Sequence, residues 1–411
     1  MLEKEILQNQ KKIMNLEIVE RQSNLEEIQE VLKLNKIFAF VWPRRAWKTF
    51  LTFQTVRKLI EKGDFDIENI CYIDFSWVLD KNISLDDIKE SYISLFPEKN
   101  PLFVFDEIQE LSDFSTKLIS ILNEWYKVII TWSNAHMLSK ELSTILRWKI
   151  YTKEIYPLDF KEYLDFKNIS YSKNDLIVDK SKYKNYFLDF LRWWGFPEVV
   201  LSKDDFVKEN IIKNYFEIMF YKDLQDRYKI KNDFALNFLI KRLLSGFTKE
   251  ININKIYKDL KSQNVKISKD SLYNFYEYMT NIYFILPLYN YWAPIKWNKK
   301  TYLMDVSFAN LVWEKGFWKR FENFVCIQLL RKYKDVYFLS KNYEIDFFVP
   351  ENDLYIQVVY ELNYENFERE IKNLKKQKGK KYLIYFEKED NLVLPNNIEF
   401  LSFDDFLLLT D

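Results

Sequence analysis

From residue 36 to about 155, short apolar runs alternate with longer stretches whose apolar residues recur at helical spacing. The runs at 36–41, 69–75, 101–106, 127–131 and 149–155 read as strands, and the alternation predicts a parallel sheet with helices on both faces. Before it, residues 1–34 read as polar helices, with Leu25, Ile28, Val31 and Leu32 on one face. After it, 157–228 looks helical and aromatic-rich, interrupted near 167–184 by a Lys/Ser/Asp-rich stretch. Between about 231 and 303 the pattern is three helices and two strands. Ile253–Leu260 is the second helix; Ser268 caps a third reaching about Tyr283, with Asp270 in its first turn. Ile285–Tyr291 and Thr301–Met304 flank Trp297-Asn298 like the strands of a wing, a winged-helix pattern whose plain alternative is a helical lid with a hairpin. In the last stretch a helix at Trp318–Tyr333 precedes strands at 335–339, 344–349 and 354–359, a charged helix at 365–377 and a strand at 381–386.

These patterns divide the chain into an N-terminal helical segment (1–34), an α/β domain (35–165), a helical lid or connector (166–230), the winged-helix-like unit (231–303) and a C-terminal α/β domain (304–411). Lysine plus arginine equals aspartate plus glutamate at 61 each, so overall charge selects neither nucleic acid nor an acidic surface as partner. Cys71 and Cys326 each lie in apolar runs, which predicts buried free thiols in a reducing compartment. No uncharged apolar run approaches a membrane span and the first residues are polar, so a cytoplasmic protein is expected.

The chemistry begins where the first strand ends. Residues 42–49 read Trp-Pro-Arg-Arg-Ala-Trp-Lys-Thr, and glycine at Trp42 and Trp47 would complete the phosphate-loop pattern G-x-x-x-x-G-K-[ST] between a strand and a helix. That loop wraps backbone N–H groups around phosphate oxygens, which requires positive φ and close backbone approach. An indole at 47 would fill the phosphate space. Glycine numbers 5 and tryptophan 12, against an average glycine content of about 7%, and several tryptophans sit where the chain must turn. Trp132, Trp194, Trp297 and Trp313 through Trp318 are such places; not every tryptophan need be a converted glycine, and Trp77 and Trp193 stay open between the two. Some bacterial lineages read UGA as glycine and others as tryptophan, so misread glycine codons explain the pattern; a Trp-rich, degenerate ATPase is the alternative.

In this motif Lys48 reaches the β- and γ-phosphates, Thr49 holds Mg²⁺, and Trp42, Pro43, Arg44, Arg45, Ala46, Trp47 and Phe50 line the nucleotide. The strand Leu102–Phe105 runs into Asp106 and Glu107, the second half of a nucleotide-hydrolysis site. Asp106 completes the metal shell and Glu107 deprotonates the attacking water. The fourth strand is followed by Ser133-Asn134, a place for a γ-phosphate sensor; Asn134 is preferred, with a turn cap as the plain alternative. His136 is the sole histidine, which excludes a His-based metal cluster.

With these residues in hand, the chain resembles the bacterial and archaeal AAA+-type P-loop ATPases that carry a C-terminal domain of unknown function. The matching stretches are Trp42–Thr49, Phe103–Glu110, Thr131–Leu138, Ile155–Leu164, Leu191–Val199, Tyr221–Ile230 and Thr301 to Val358. The resemblance implies ATP and Mg²⁺ as ligands, ATP hydrolysis, an unknown protein or DNA client and a possible oligomer. It also implies glycine at 42, 47, 132 and 194. It makes Arg227 a candidate arginine finger in cis or in trans, whose alternative is an i,i+4 ion pair with Asp223. The C-terminal unit resembles a restriction-endonuclease fold, with Glu322, Asp346 and Gln357 in place but Val359 where that site needs lysine, so an inactive domain is expected. Two further readings stand beside the ATPase: a nucleotide-regulated, metal-dependent nuclease, and a nucleotide-free adaptor binding DNA or protein.

Overall fold

The computed structural model describes the chain except residues 1, 22–24, 42–47, 77–82, 112–113, 134–143, 171, 173–174, 176–177, 294–298, 313–315, 342 and 411. Two compact units emerge, Met1–Tyr156 with Asn281–Tyr283, and Pro157–Thr280 with Phe284–Asp411.

In the first unit the order is α1 (Leu2–Asn15), α2 (Leu25–Lys33), β1 (Ile37–Val41), α3 (Lys48–Glu61), β2 (Ile70–Asp74) and α4 (Leu85–Leu95). Then come β3 (Leu102–Asp106), α5 (Phe114–Asn123), β4 (Lys127–Trp132), α6 (Thr144–Arg147) and β5 (Ile150–Glu154). The strands form one parallel sheet in the order β2-β3-β4-β1-β5, which realises the α/β fold expected of a P-loop NTPase. Every residue of β1 and β3 is buried, as unbroken apolar strands in the middle of a parallel sheet must be. At one edge, α1 covers what β2 leaves unpaired: Gln10 donates to the Ile70 carbonyl (2.9 Å) and Asn9 to that of Tyr72 (3.0 Å). Cross-strand register sets Val41 opposite Trp132 and Asp74 opposite Asp106, so four strands end together along one rim. Ligands of open α/β sheets bind outside such carboxyl ends.

The second unit opens with helices α7 (Phe160–Phe166), α8 (Lys180–Trp193), α9 (Pro197–Leu201) and α10 (Asp205–Ile218), the last continuing into a π-helical stretch, Met219–Asp226. Next come α11 (Asp233–Gly246), α12 (Ile253–Ser262), α13 (Lys269–Asn281), β6 (Ile285–Asn290) and β7 (Lys299–Leu303). Ser268 caps α13 through its hydroxyl, which accepts from the Ser271 N–H (3.0 Å). The remainder is α14 (Phe317–Lys332), β8 (Tyr337–Ser340), β9 (Glu344–Val349), β10 (Leu354–Leu362), α15 (Tyr364–Leu374), β11 (Lys380–Lys388), β12 (Glu399–Ser402) and α16 (Phe403–Thr410). The wing-like strands β6 and β7 pair antiparallel, and through β8 they continue a seven-stranded mixed sheet, β12-β11-β10-β9-β8-β6-β7. Sheet pairing therefore runs across residue 303. Cys71 and Cys326 are buried free thiols. Among the described residues no helix is long and apolar enough to cross a membrane.

Candidate functional site

Lys48 is the first residue of α3, and its buried ammonium lies 3.2 Å from Glu107 Oε1. Thr49, next along the same turn, donates its hydroxyl to Asp106 Oδ2. Two residues that follow β1 thus touch the two acids at the end of β3, although nearly sixty positions separate them in sequence. Phe50, half-buried, completes the first turn.

Neutral donors hold Asp106. Besides Thr49, the Tyr72 hydroxyl donates to Oδ2 (2.8 Å) and the Thr131 hydroxyl to Oδ1. Three hydroxyls surround the carboxylate without cancelling its charge, and each can turn its oxygen lone pairs inward. Neighbouring titrations register that charge. Asp74, its cross-strand partner, is pushed up to about 6 by burial first and by Asp106 second, although Ser76 hydrogen bonds act the other way. Tyr72 is raised by burial and then by the same two aspartates.

Glu107 turns the chain in the left-handed region, with φ 53° and ψ 46°, a conformation uncommon for a residue with a side chain. Its N–H donates to Thr131 Oγ1 (2.9 Å), so β4 fixes both acids of β3. Gln109 donates to Glu107 Oε2 and to Ser133 Oγ (2.9 Å), which links the acid pair to the end of β4.

Of the residues expected to carry chemistry, Lys48, Thr49, Asp106 and Glu107 come together. Trp42, Pro43, Arg44, Arg45, Ala46 and Trp47 lie outside the described residues, as do Asn134 and His136. Arg227 belongs to the second unit, where its Nη2 lies 3.8 Å from Asp223 Oδ1, the ion pair its spacing predicts. Sequence reading missed Tyr72, Asp74, Gln109 and Thr131. The Tyr72/Asp74 pair carried a signal, two polar residues two apart at the end of an apolar strand, hence on one face at the rim.

A second polar cluster lies in the C-terminal sheet. Lys300 of β7, 4% exposed, is 3.0 Å from Asp346 Oδ1, 3.0 Å from Glu344 Oε1 and 3.8 Å from Glu322 Oε1. Burial, then the Asp346 charge, raises the Glu322 carboxyl, while Lys300 and the Tyr302 hydroxyl act the other way.

A family model described as an AAA domain matches residues 34–164. The uncharacterized protein MJ1544 of Methanocaldococcus jannaschii is 35% identical over 387 residues, covering 92% of this chain and 86% of its own. An uncharacterized protein of Haemophilus influenzae is 28% identical over 422 residues, covering 96% of this chain and 100% of its own. Among solved structures, the Walker-type ATPase PABY2304 of Pyrococcus abyssi is 14% identical with a TM-score of 0.44, covering 72% of this chain and 96% of that chain.

Proposed function

This chain belongs to an AAA-type ATPase family, and from that premise we propose that it binds ATP at the start of α3 and hydrolyses it. One observation carries the reading: Lys48 and Thr49 directly contact Glu107 and Asp106, respectively. Lys48 would meet phosphate oxygens at a helix N-terminus, whose unpaired N–H groups favour the same anion. Thr49 and Asp106 offer hard oxygen donors side by side and would hold Mg²⁺, which supplies charge neutralisation when bound. Glu107 would orient water and take its proton; Asn134, or Ser133 through Gln109, would report on the terminal phosphate. The ion pair with Asp223 favours a positioning part for Arg227 within its own helix.

The reading requires glycine at 42 and 47 in the organism. Support comes from the other tryptophans. Trp194, closing α8, has φ 50° and ψ −146°, close to a region that essentially only glycine populates. Trp125, just past α5, has φ 65°, the left-handed position where helices commonly place glycine. Trp132, Trp193 and Trp194 are all buried, and among the described residues no acceptor meets their indole N–H groups. Trp193 therefore shares this feature with the two positions expected to be glycine. Codons other than UGA at 42 and 47 would refute the substitution.

The test is ATP turnover by the protein carrying glycine at 42 and 47, beside Lys48→Ala and Glu107→Gln in the same background. Each variant is expected to lose at least about 100-fold. Three equal rates would remove the hydrolysis assignment.

For the client, one observation favours duplex DNA. Helix α12 buries Ile253, Ile256 and Leu260 and presents exposed Lys255, Lys258 and Lys261 on the opposite face, ahead of the turn into α13. A helix crossing the phosphate backbone before a second helix is the helix-turn-helix arrangement. Replacing all three lysines by glutamate should weaken duplex binding and lower the salt slope by about 3. Unchanged binding at every salt concentration would exclude this face.

A further inference from the structure

The endonuclease resemblance of the C-terminal unit implies a divalent metal, and the residues present do not fit one. Gln357 Nε2 donates to Glu370 Oε2 (3.1 Å), and two positions on stands Val359, buried, in place of a lysine. Both oxygens of Asp346 are engaged: Oδ1 meets Lys300 Nζ at 3.0 Å and Oδ2 accepts the Val358 N–H at 3.1 Å. Glu322 accepts the Tyr302 hydroxyl at 2.9 Å. Among the described residues no group of three or more His, Cys, Asp or Glu is placed to hold a metal ion.

A cation is nevertheless already there. Lys300 comes from β7, far in sequence from the acids, and its ammonium reaches carboxylates on β9 and α14. Its backbone is fixed by pairing with Leu288 of β6 and by an isolated bridge to Glu250. We infer that Lys300 is the resident cation of this cluster, an internal ammonium standing where an endonuclease-like fold would hold its metal, so that the unit takes no divalent ion there. A metal ligated by Asp346 would sit within a few ångströms of a buried positive charge already held at 3.0 Å by the same carboxylate. The cluster is then a structural tie joining β7, β9 and α14, and metal-dependent strand cleavage is not its work.

The experiment is a Mn²⁺ titration of the full-length, nucleotide-free protein, followed by electron paramagnetic resonance. Wild type is expected to show no Mn²⁺ site that Asp346→Asn or Glu322→Gln abolishes. Lys300→Met is expected to gain one, binding at least ten-fold more tightly than any wild-type background, and Lys300→Met/Asp346→Asn to lose it. A wild-type site weakened ten-fold or more by either acid substitution overturns the inference, as does a folded Lys300→Met that gains none. Should Lys300→Met not fold, the comparison of wild type with the two acid variants decides alone.

Discussion

Asp106 and Asp346 both stand on strands beside a buried lysine, yet their charges are treated differently. Asp106 is held by three hydroxyls, those of Thr49, Tyr72 and Thr131, while Lys48 alongside meets Glu107. Asp346 is held by the Lys300 ammonium and a backbone N–H. Neutral donors orient a carboxylate and leave its charge for a cation; an ammonium cancels that charge. The two lysines differ in footing as well. Lys48 opens a helix, where backbone N–H groups are unpaired, whereas Lys300 is sewn into a sheet. On the readings proposed above, the same residue types would make a ligand site in one unit and a cross-link in the other.

If Lys300 is a cross-link, Lys300→Met should cost about 3–5 kcal/mol, because it leaves a buried carboxylate uncompensated. Urea denaturation would measure this, and ATP turnover of the folded fraction should stay unchanged. Glu107→Gln should differ on turnover, down at least about 100-fold, while it too loses stability, because it removes the charge opposite the buried Lys48 ammonium. A Glu107→Gln protein that turns over normally would erase the contrast.

Asp74 sharpens the point about uncancelled charge. Its folded carboxyl titrates near 6 against an ordinary 3.8, so the folded state holds that proton more tightly than the unfolded state. The contribution is full below pH 4 and is lost as pH rises through 6. Asp74→Asn should thus gain about 1 kcal/mol at pH 8, a figure reduced for partial solvent screening, and nothing at pH 4. Denaturation midpoints at the two pH values check it; equal gains at both would show that burial and the Asp106 charge do not raise the Asp74 carboxyl. The smallest effect belongs to Arg227→Ala, expected to cost under about 1 kcal/mol with turnover within a few-fold. A loss of 100-fold or more would favour Arg227 as a finger instead.

How legible this was depends on range in sequence. The five parallel strands were readable to within a residue or two because each is an uninterrupted apolar run, and the acids at the end of β3 follow one directly. The Arg227–Asp223 pair was readable from helical spacing. The pairing of β6 and β7 with the C-terminal sheet was not, because it depends on β8, some fifty residues on. Strand β12 and helix α16 also escaped, the strand being only four residues long with a polar residue at each end. Thr131 and Lys300 left no signal, and the signal at Tyr72 did not name its partner, for a common reason. Each serves a carboxylate tens of positions away, and a hydroxyl or lysine in an apolar strand has no local pattern that names its partner.

The most direct test of the ATPase site is a MgATP titration of two forms of the full chain, one with tryptophan at 42 and 47 and one with glycine. The account predicts saturable binding by the glycine form, lost on Lys48→Ala, and affinity at least about 100-fold weaker in the tryptophan form, since backbone amides cannot close on phosphate past an indole. Equal affinities in the two forms, or binding indifferent to Lys48, would contradict it.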